Sequence, residues 1–313
     1  LLAASQGSGV EDMAEVRGQP TARRALEVAA AGGHHTLMCG PPGAGKSMLA
    51  RRLPTILPPP SIEEAIEFTS VHSIAGLNRS GALMTERPFR APHHSASGAG
   101  LIGGGSTPSP GEISLAHRGV LFLDELPEFP AQVLNQLREP LEDGRLTIAR
   151  AGRSLSFPSC FILVAAMNPC PCGYHATGMR ACSCSDQALS RYRTRLSGPL
   201  LDRIDIHVGV ARIEYRELSA KEPAEPSATV RARVVAARRR RSLMQAAGGE
   251  PGLTAEAEAL LARAALHMAL SGRAMKRVAA VARTIAHLSA SDEVGPGHLA
   301  EALGYRRPDE LAL

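Results

Sequence analysis

The glycine-rich segment of residues 40–47 constrains this chain more than any other feature. Its pattern, G-x-x-x-x-G-K-S, is typical of a phosphate-binding loop. The preceding residues 35–39 form a short apolar run that predicts a buried strand, and residues 48–53 predict a helix. Strand, glycine loop and helix in this order are the context that such a loop requires. The predicted nucleotide-binding residues are Gly40, Pro41, Pro42, Gly43, Ala44, Gly45, Lys46 and Ser47.

The last two residues of this loop, Lys46 and Ser47, are the candidates for binding the phosphates and a metal ion. Backbone N–H groups of a glycine loop can surround phosphate oxygens, and the N-terminus of the following helix adds a positive dipole end. Lys46 is one of only three lysines beside 32 arginines, and its ammonium would neutralise the β- and γ-phosphates. The Ser47 hydroxyl would bind Mg²⁺. We therefore expect ATP or GTP, together with Mg²⁺, as ligands.

Polar residues follow two further apolar runs. Asp124 comes directly after residues 120–123 and would hold Mg²⁺, while the adjacent Glu125 would activate the attacking water. Asn168 follows residues 161–166, and its amide could hold that water or the γ-phosphate. The alternatives are an acidic pair that faces solvent and an ordinary turn or capping asparagine. A base at this position predicts hydrolysis rather than nucleotide binding alone.

The order of apolar runs predicts the fold class. Buried strands alternate with helices, which indicates an α/β protein with a parallel sheet. We expect a core domain over residues 1–219 and a small all-helical domain over residues 220–313. The core should also contain a loop-rich insertion at about residues 69–111, a β-hairpin at about 144–157 and a cysteine loop at 170–184.

Several longer blocks add a more specific pattern. Besides the phosphate loop, they are RPFRAPHHS at 87–95, GEISLAH at 111–117, residues 121–127, residues 166–169, SGPLLDRID at 197–205 and SGRA at 271–274. With these blocks the chain resembles the AAA+ ATPases, and within them the magnesium-chelatase-like group and the bacterial ComM/YifB family. The resemblance extends over about residues 16–306. It implies a P-loop AAA+ nucleotide domain followed by a helical lid.

The resemblance also implies roles for two arginines. Arg203 resembles the arginine finger, which reaches the ATP of a neighbouring subunit, and Arg273 resembles the second sensor on the lid, which touches the γ-phosphate. A planar guanidinium suits both roles because it stabilises charge on the transferred phosphoryl group. The alternative for each is a surface ion pair. The family forms hexameric rings, and residues 16–19 resemble its segment near the adenine.

Family members of the ComM type are described as ATP-driven DNA motors that promote branch migration during natural transformation. The predicted hairpin resembles the one that points into the central pore. Arg145, Arg150 and Arg153 lie on it and are candidates for contacts with DNA phosphates, although they could be ordinary exposed arginines. Aromatic residues make up 3% of the chain and Trp is absent, which argues against stacking on single-stranded bases.

The charge of the chain is a weaker indication that it binds nucleic acid. The formal charge is +5, and six arginines lie within residues 231–241. Such a basic run suits nucleic acid, but it can equally be a solvated helix face. Two other functions stay open. One is a magnesium-chelatase-type ATPase subunit that remodels a metal-insertion partner without DNA, and the other is a scaffold that uses nucleotide only to assemble.

Six cysteines divide into two groups. Cys39 and Cys160 lie in apolar runs and are expected to be buried. The other four form two C-x-C pairs, and four thiolates can surround structural zinc. Free thiols or a regulatory disulfide are the alternatives, whereas His93 and His94 suggest only a loop role. The candidate zinc ligands are Cys170, Cys172, Cys182 and Cys184.

The ends and hydropathy of the chain bear on its location. No run of about 18 apolar residues suggests a membrane span, and residues 1–10 do not resemble a signal peptide. We expect a cytoplasmic protein without a membrane contact. Because the chain begins with Leu1, we also expect a processed product or fragment. The Lon-type N-terminal domain that the family usually carries would then be missing.

Overall fold

The computed structural model describes residues 11–104, 109–150, 153–213 and 224–306. Its strands are β1 (Thr36–Cys39), β2 (Phe89–Arg90), β3 (Gly103–Gly104), β4 (Ser109–Pro110), β5 (Val120–Leu123), β6 (Arg145–Arg150), β7 (Arg153–Pro158), β8 (Ile162–Met167) and β9 (Ile206–Gly209). Five of them form a central parallel sheet with the strand order β2-β5-β8-β1-β9. Two antiparallel ribbons, β3-β4 and β6-β7, lie outside this sheet.

Helices cover both faces of the sheet and continue into an all-helical C-terminal region. They are α1 (Pro20–Gly32), α2 (Lys46–Ile56), α3 (Ile62–Ile74), α4 (Gly98–Ile102), α5 (Glu112–Leu115), α6 (Ala131–Gln136), α7 (Arg138–Asp143), α8 (Asp186–Arg193), α9 (Gly198–Leu201), α10 (Ser227–Ala246), α11 (Ala255–His267), α12 (Gly272–Leu288) and α13 (Pro296–Gly304). The α/β class and the helical region that follows it confirm the expected AAA+ domain and lid.

Strand β8 shows how the sheet separates two hydrophobic cores. All six of its residues are buried, as expected for a strand covered on both faces. Because successive side chains alternate, Val164 and Ala166 join the core that contains α1, α2 and the C-terminal helices. Leu163 and Ala165 join the opposite core, which contains α6 and α7. The lid therefore shares its core with one face of the nucleotide domain.

Ion pairs reinforce the contact between α1 and the lid. Arg233 of α10 pairs with Glu27 of α1 and with Glu225, and Arg24 of α1 binds Glu301 of α13 at 2.9 Å. Further along α10, Arg238 donates to the carbonyl of Ala30 in α1. Much of the basic run at residues 231–241 is thus occupied by contacts with its own chain. This favours the structural alternative over a nucleic-acid surface.

A buried polar cluster lies at the amino-terminal edge of the sheet. Asp205, just before β9, accepts a hydrogen bond from the His35 backbone N–H and pairs with His34 and Arg277. Burial alone would raise the pKa of Asp205, but the hydrogen bond with His34 and the positive charge of Arg277 hold it well below its usual range. Because Arg277 belongs to α12, this cluster fixes the lid to the start of β9.

The structure corrects several local expectations. Residues 69–111 contribute more than a loop, since β2 forms an edge of the main sheet and Leu101 is fully buried. Cys160 is exposed rather than buried, whereas Cys39 is buried as expected. Between the main-sheet strand β5 and the hairpin, the chain forms two short helices, α6 and α7, that meet at Leu137. The boundary proposed at residues 219 and 220 lies outside the described residues.

Candidate nucleotide-binding site

The carboxyl ends of β1, β5 and β8 bring the predicted nucleotide site together. These three strands are neighbours in the sheet, so the segments that follow them meet at one edge. The phosphate loop follows β1 and leads into α2, whose first residue is Lys46. Asp124 follows β5, and Asn168 follows β8. The parallel topology therefore places side chains that are more than 120 residues apart within reach of one another.

Lys46 is the centre of this arrangement. Its ammonium donates to the carbonyls of Gly40 at 2.7 Å and Pro41 at 2.9 Å, and to the Asn168 amide oxygen at 3.1 Å. Burial lowers the pKa of Lys46, an effect that the negative charge of Asp124 opposes. Its donors thus point to the space enclosed by the loop and the end of β8, where phosphate oxygens would be bound.

We expect Lys46→Ala to lose most nucleotide affinity. Removing one partner of a desolvated charge pair costs about 2–5 kcal/mol, which is roughly 30- to 5,000-fold in Kd. Calorimetric titration with a non-hydrolysable ATP analogue measures this change. Lys276→Ala is the matched control, because Lys276 is exposed on α12 and should leave the Kd unchanged. Tight binding by Lys46→Ala would contradict the assignment of the loop.

Ser47 and Asp124 form the candidate magnesium site. The Ser47 hydroxyl donates to Asp124 Oδ2 at 2.7 Å, so the two oxygens already lie side by side. Hydroxyl and carboxylate oxygens are the hard ligands that Mg²⁺ prefers, with water and phosphate oxygens filling the other positions. The donor set therefore fits Mg²⁺ bound together with a nucleotide.

Glu125 lies beside Asp124 in a left-handed backbone conformation, with φ of 52°. Its carboxylate lies 3.1 Å from His94 Nδ1. The His94 ring is in turn 4.1 Å from the ring of His93, measured between centroids. No spacing rule indicates the pairing of Glu125 with His94, because the two residues are separated by 31 positions.

Arg203 and Arg273 lie at the other edge of the sheet. Arg203 precedes β9, which has four residues and rises by roughly 13 Å before the opposite edge is reached. Both guanidinium groups bind one carboxylate, that of Glu142 in α7, at 2.7 Å for Arg203 and 3.1 Å for Arg273. The structure thus brings these two arginines together and separates both from Lys46 of the same chain. Glu142 is a residue that the sequence analysis missed.

The four candidate zinc ligands cluster closely. Cys170 Sγ lies 3.3 Å from Cys172 Sγ and 3.8 Å from Cys182 Sγ, and all four sulfurs lie within 4.8 Å of one another. Zinc–sulfur bonds of about 2.3 Å in a tetrahedron place sulfurs about 3.8 Å apart, whereas a disulfide needs about 2.05 Å. The backbone N–H of His175 also donates to Cys170 Sγ at 3.3 Å. The cluster therefore fits a metal ion such as zinc.

The segment expected near the adenine lies against the phosphate loop. Val16 is fully buried, and the Gln19 amide donates to the carbonyl of Ala44 at 3.4 Å and to that of Ala211. Gln19 thus joins the loop to the residues after β9. A cavity of about 400 Å³ lies nearby, lined in part by Pro41, Thr177 and Val210.

The predicted hairpin is present as the antiparallel pair β6-β7. Leu146 and Ile148 are buried on one face of β6, and Arg145 is exposed on the alternate face. Arg150 and Arg153 are opposite each other in the register at the hairpin end, and residues 151–152 lie outside the described residues. The alternation of side chains along β6 therefore places Arg145 on the face opposite Leu146 and Ile148.

Among the described residues, every helix is either too short or too polar to span a bilayer.

Comparison with known proteins gives the family. YifB of Escherichia coli strain K12, named an uncharacterized protein, is 44% identical over 96% of this chain and 62% of its own length. The competence protein ComM of Haemophilus influenzae is 45% identical over 96% of this chain and 61% of its own. The chain thus spans about three fifths of these relatives. The uncharacterized protein Rv2897c of Mycobacterium tuberculosis is 49% identical over 72% of this chain and 45% of its own length.

Two family descriptions cover most of the sequence. Residues 12–218 match the family described as magnesium chelatase, subunit ChlI, and residues 224–306 match the family described as its C-terminal part. These ranges include the phosphate loop, Asp124, Glu125 and Asn168 as well as the helical lid. The chain therefore belongs to the magnesium chelatase subunit ChlI family of AAA+ ATPases.

Proposed function

We propose that this chain is part of an ATP-hydrolysing AAA+ motor that acts on DNA as a hexameric branch-migration helicase. The convergence of Lys46, Ser47, Asp124 and Asn168 on one edge of the sheet carries the ATPase part of the proposal. The similarity to a competence protein over nearly the whole chain supports the DNA part. In this function ATP hydrolysis drives movement of the hairpins along DNA during natural transformation or recombination.

Each site residue has a separate role in the proposed hydrolysis. Lys46 would bind the β- and γ-phosphates, and Ser47 and Asp124 would hold Mg²⁺, whose charge would offset that of the phosphates. Glu125 accepts a proton from the attacking water, and Asn168 orients that water or the γ-phosphate. His94 lies against the Glu125 carboxylate and would have to release it for the base to face the water.

Arg203 and Arg273 would complete the site of a neighbouring subunit. Both lie at the edge of the sheet opposite Lys46, so neither is placed to contact a nucleotide bound at Lys46 of its own chain. Glu142 holds the two guanidinium groups side by side. A pair of arginines at one edge and a phosphate loop at the other suits head-to-tail association, which closes into a ring. This arrangement supports a ring in which every nucleotide lies between two subunits, and six subunits are proposed from the resemblance to the family.

The hairpin is the proposed DNA contact. Arg145, Arg150 and Arg153 would bind phosphates in the central pore, and contacts of this kind do not depend on base sequence. The basic run of α10 supports the proposal little, since Arg233 and Arg238 are used within the chain.

The main alternative is a magnesium-chelatase-type ATPase subunit that remodels a metal-insertion partner and binds no DNA. The family description favours it. A nucleotide-dependent scaffold is less well supported, because a protein that only assembles has no need for Glu125 beside the magnesium site.

The ATPase rate with and without forked DNA tests the proposal. We expect stimulation at low salt that declines as salt rises, because phosphate contacts release counterions. The variant with Arg145→Ala, Arg150→Ala and Arg153→Ala together should lose the stimulation and bind DNA with a smaller salt dependence. A rate of the unaltered chain that is indifferent to DNA at every salt concentration would favour the chelatase-like alternative.

A further inference from the structure

The cysteine loop contacts the phosphate loop at one glycine. Gly173 lies between the two C-x-C pairs with φ of 85°, and a methyl group added to it would lie 2.5 Å from Pro42 Cδ and 2.7 Å from Pro42 Cγ. Carbon atoms do not approach this closely, so the backbone at Gly173 lies directly against the Pro42 ring. Pro42 is the third residue of the phosphate loop. The position of one loop therefore constrains the other.

A second connection passes through the end of β8. Cys170 is fully buried two residues after Asn168, whose side chain accepts a hydrogen bond from Lys46. Tyr192 donates to the Asn168 backbone carbonyl at 3.1 Å and so contacts the same segment. The first metal-binding candidate and the phosphate-binding lysine are thus linked by one short stretch of chain.

The phosphate loop and the cysteine loop also line a common cavity of about 400 Å³. Gly40 and Pro41 of the phosphate loop line one part of it, and Thr177 and Met179 of the cysteine loop line another. The two loops therefore share a wall beside the nucleotide site.

We propose that metal binding by the four cysteines strengthens nucleotide binding through the contact between Gly173 and Pro42. This rests on the proposed function only in taking residues 40–47 as the nucleotide site. Residues 170–185 form neither a helix nor a strand, so their backbone order depends on turns and on the cysteine cluster. A bound metal ion orders the cysteine loop before nucleotide binds. Nucleotide binding then no longer includes the entropic cost of ordering that loop, so its affinity is higher.

Coupling of this kind is reciprocal. If zinc raises the affinity for nucleotide, nucleotide raises the affinity for zinc by the same factor. Couplings between two sites are typically about 5- to 150-fold, so a change of at least about fivefold is expected in both Kd values.

The first experiment titrates a non-hydrolysable ATP analogue into zinc-loaded chain and into chain stripped with a chelator. We expect weaker nucleotide binding by the stripped chain, with helix content unchanged by circular dichroism. Zinc stoichiometry is measured in parallel, and one ion per chain is expected. Absence of zinc binding, or an equal Kd in the two forms, would overturn the proposal.

A pair of glycine variants separates the contact from the metal. Gly173 and Gly178 both have positive φ, so alanine meets a similar backbone penalty at each, but only Gly173 has an atom within 4 Å of the added carbon. We expect Gly173→Ala to bind one zinc ion and to lose at least about fivefold in nucleotide affinity, while Gly178→Ala retains both properties. Equal nucleotide affinity in the two variants would show that the contact transmits nothing.

The outcomes also separate this proposal from the function itself. If zinc-loaded chain with every residue intact fails to bind the ATP analogue, the assignment of the nucleotide site is wrong and the coupling falls with it. If that chain binds the analogue equally well with and without zinc, only the coupling is wrong.

Discussion

Arg203→Ala is expected to abolish most ATP hydrolysis while leaving nucleotide affinity near its original value. An arginine that stabilises transition-state charge contributes about 10³–10⁵-fold to kcat when it is supplied by a neighbouring subunit. Affinity should survive, because Arg203 lies at the sheet edge opposite the Lys46 loop. Steady-state hydrolysis and calorimetric titration of the analogue measure the two quantities separately.

A mixing experiment distinguishes this role from a structural one. Arg203 is buried and binds Glu142, so its loss could also destabilise the fold. Chains with Arg203→Ala keep their own Glu125, and chains with Glu125→Gln keep Arg203. In a randomly mixed ring about a quarter of the interfaces would combine the two intact parts. Recovery of hydrolysis on mixing is therefore expected, and its absence would contradict a site shared between subunits.

Glu125→Gln is expected to bind ATP and hydrolyse it very slowly. Loss of a general base lowers the rate by about 10²–10⁴-fold, whereas the phosphate contacts of Lys46 and the oxygens of Ser47 and Asp124 are unchanged. The amide also keeps the size of the side chain. Single-turnover hydrolysis measures the chemical step directly and avoids the contribution of product release.

Glu128→Gln is the matched control for this variant. Glu128 is also exposed and is the last residue of the short 3₁₀ helix Leu126–Glu128 that Glu125 precedes, but it pairs with Arg195 at 2.7 Å rather than with a histidine. Its replacement should change hydrolysis little. A normal single-turnover rate in Glu125→Gln would remove Glu125 as the base.

The convergence of the candidate nucleotide-binding residues was predictable because their positions follow short-range rules. The phosphate loop is continuous in sequence, and Asp124 and Asn168 each follow a buried strand. Parallel strands have their carboxyl ends at one edge, so the position of a residue just after a strand indicates where it lies. The same rule places Arg203 at the opposite edge, because it comes before β9.

The missed residues depend on contacts between distant segments. Glu142 lies on α7 and has no motif around it, yet it binds Arg203 and Arg273, which are 70 residues apart. His94 was expected to have only a loop role, because nothing in the spacing of two histidines indicates Glu125 as a partner. The role of Arg233 in α10 depends on a distant contact in the same way, since its partner Glu27 lies in α1.

The placement of the phosphate loop and the arginine pair at opposite edges of one sheet has a genetic consequence. In the proposed ring each chain is half of two catalytic sites, one with each neighbour. A chain altered at Lys46 disables the site on one side, and a chain altered at both Lys46 and Arg203 disables the sites on both sides. In a cell with one normal and one doubly altered gene copy, the loss of active sites would exceed the fraction of altered chains. Such an allele would be dominant negative, because each inactive chain also disables the sites that it shares with normal neighbours.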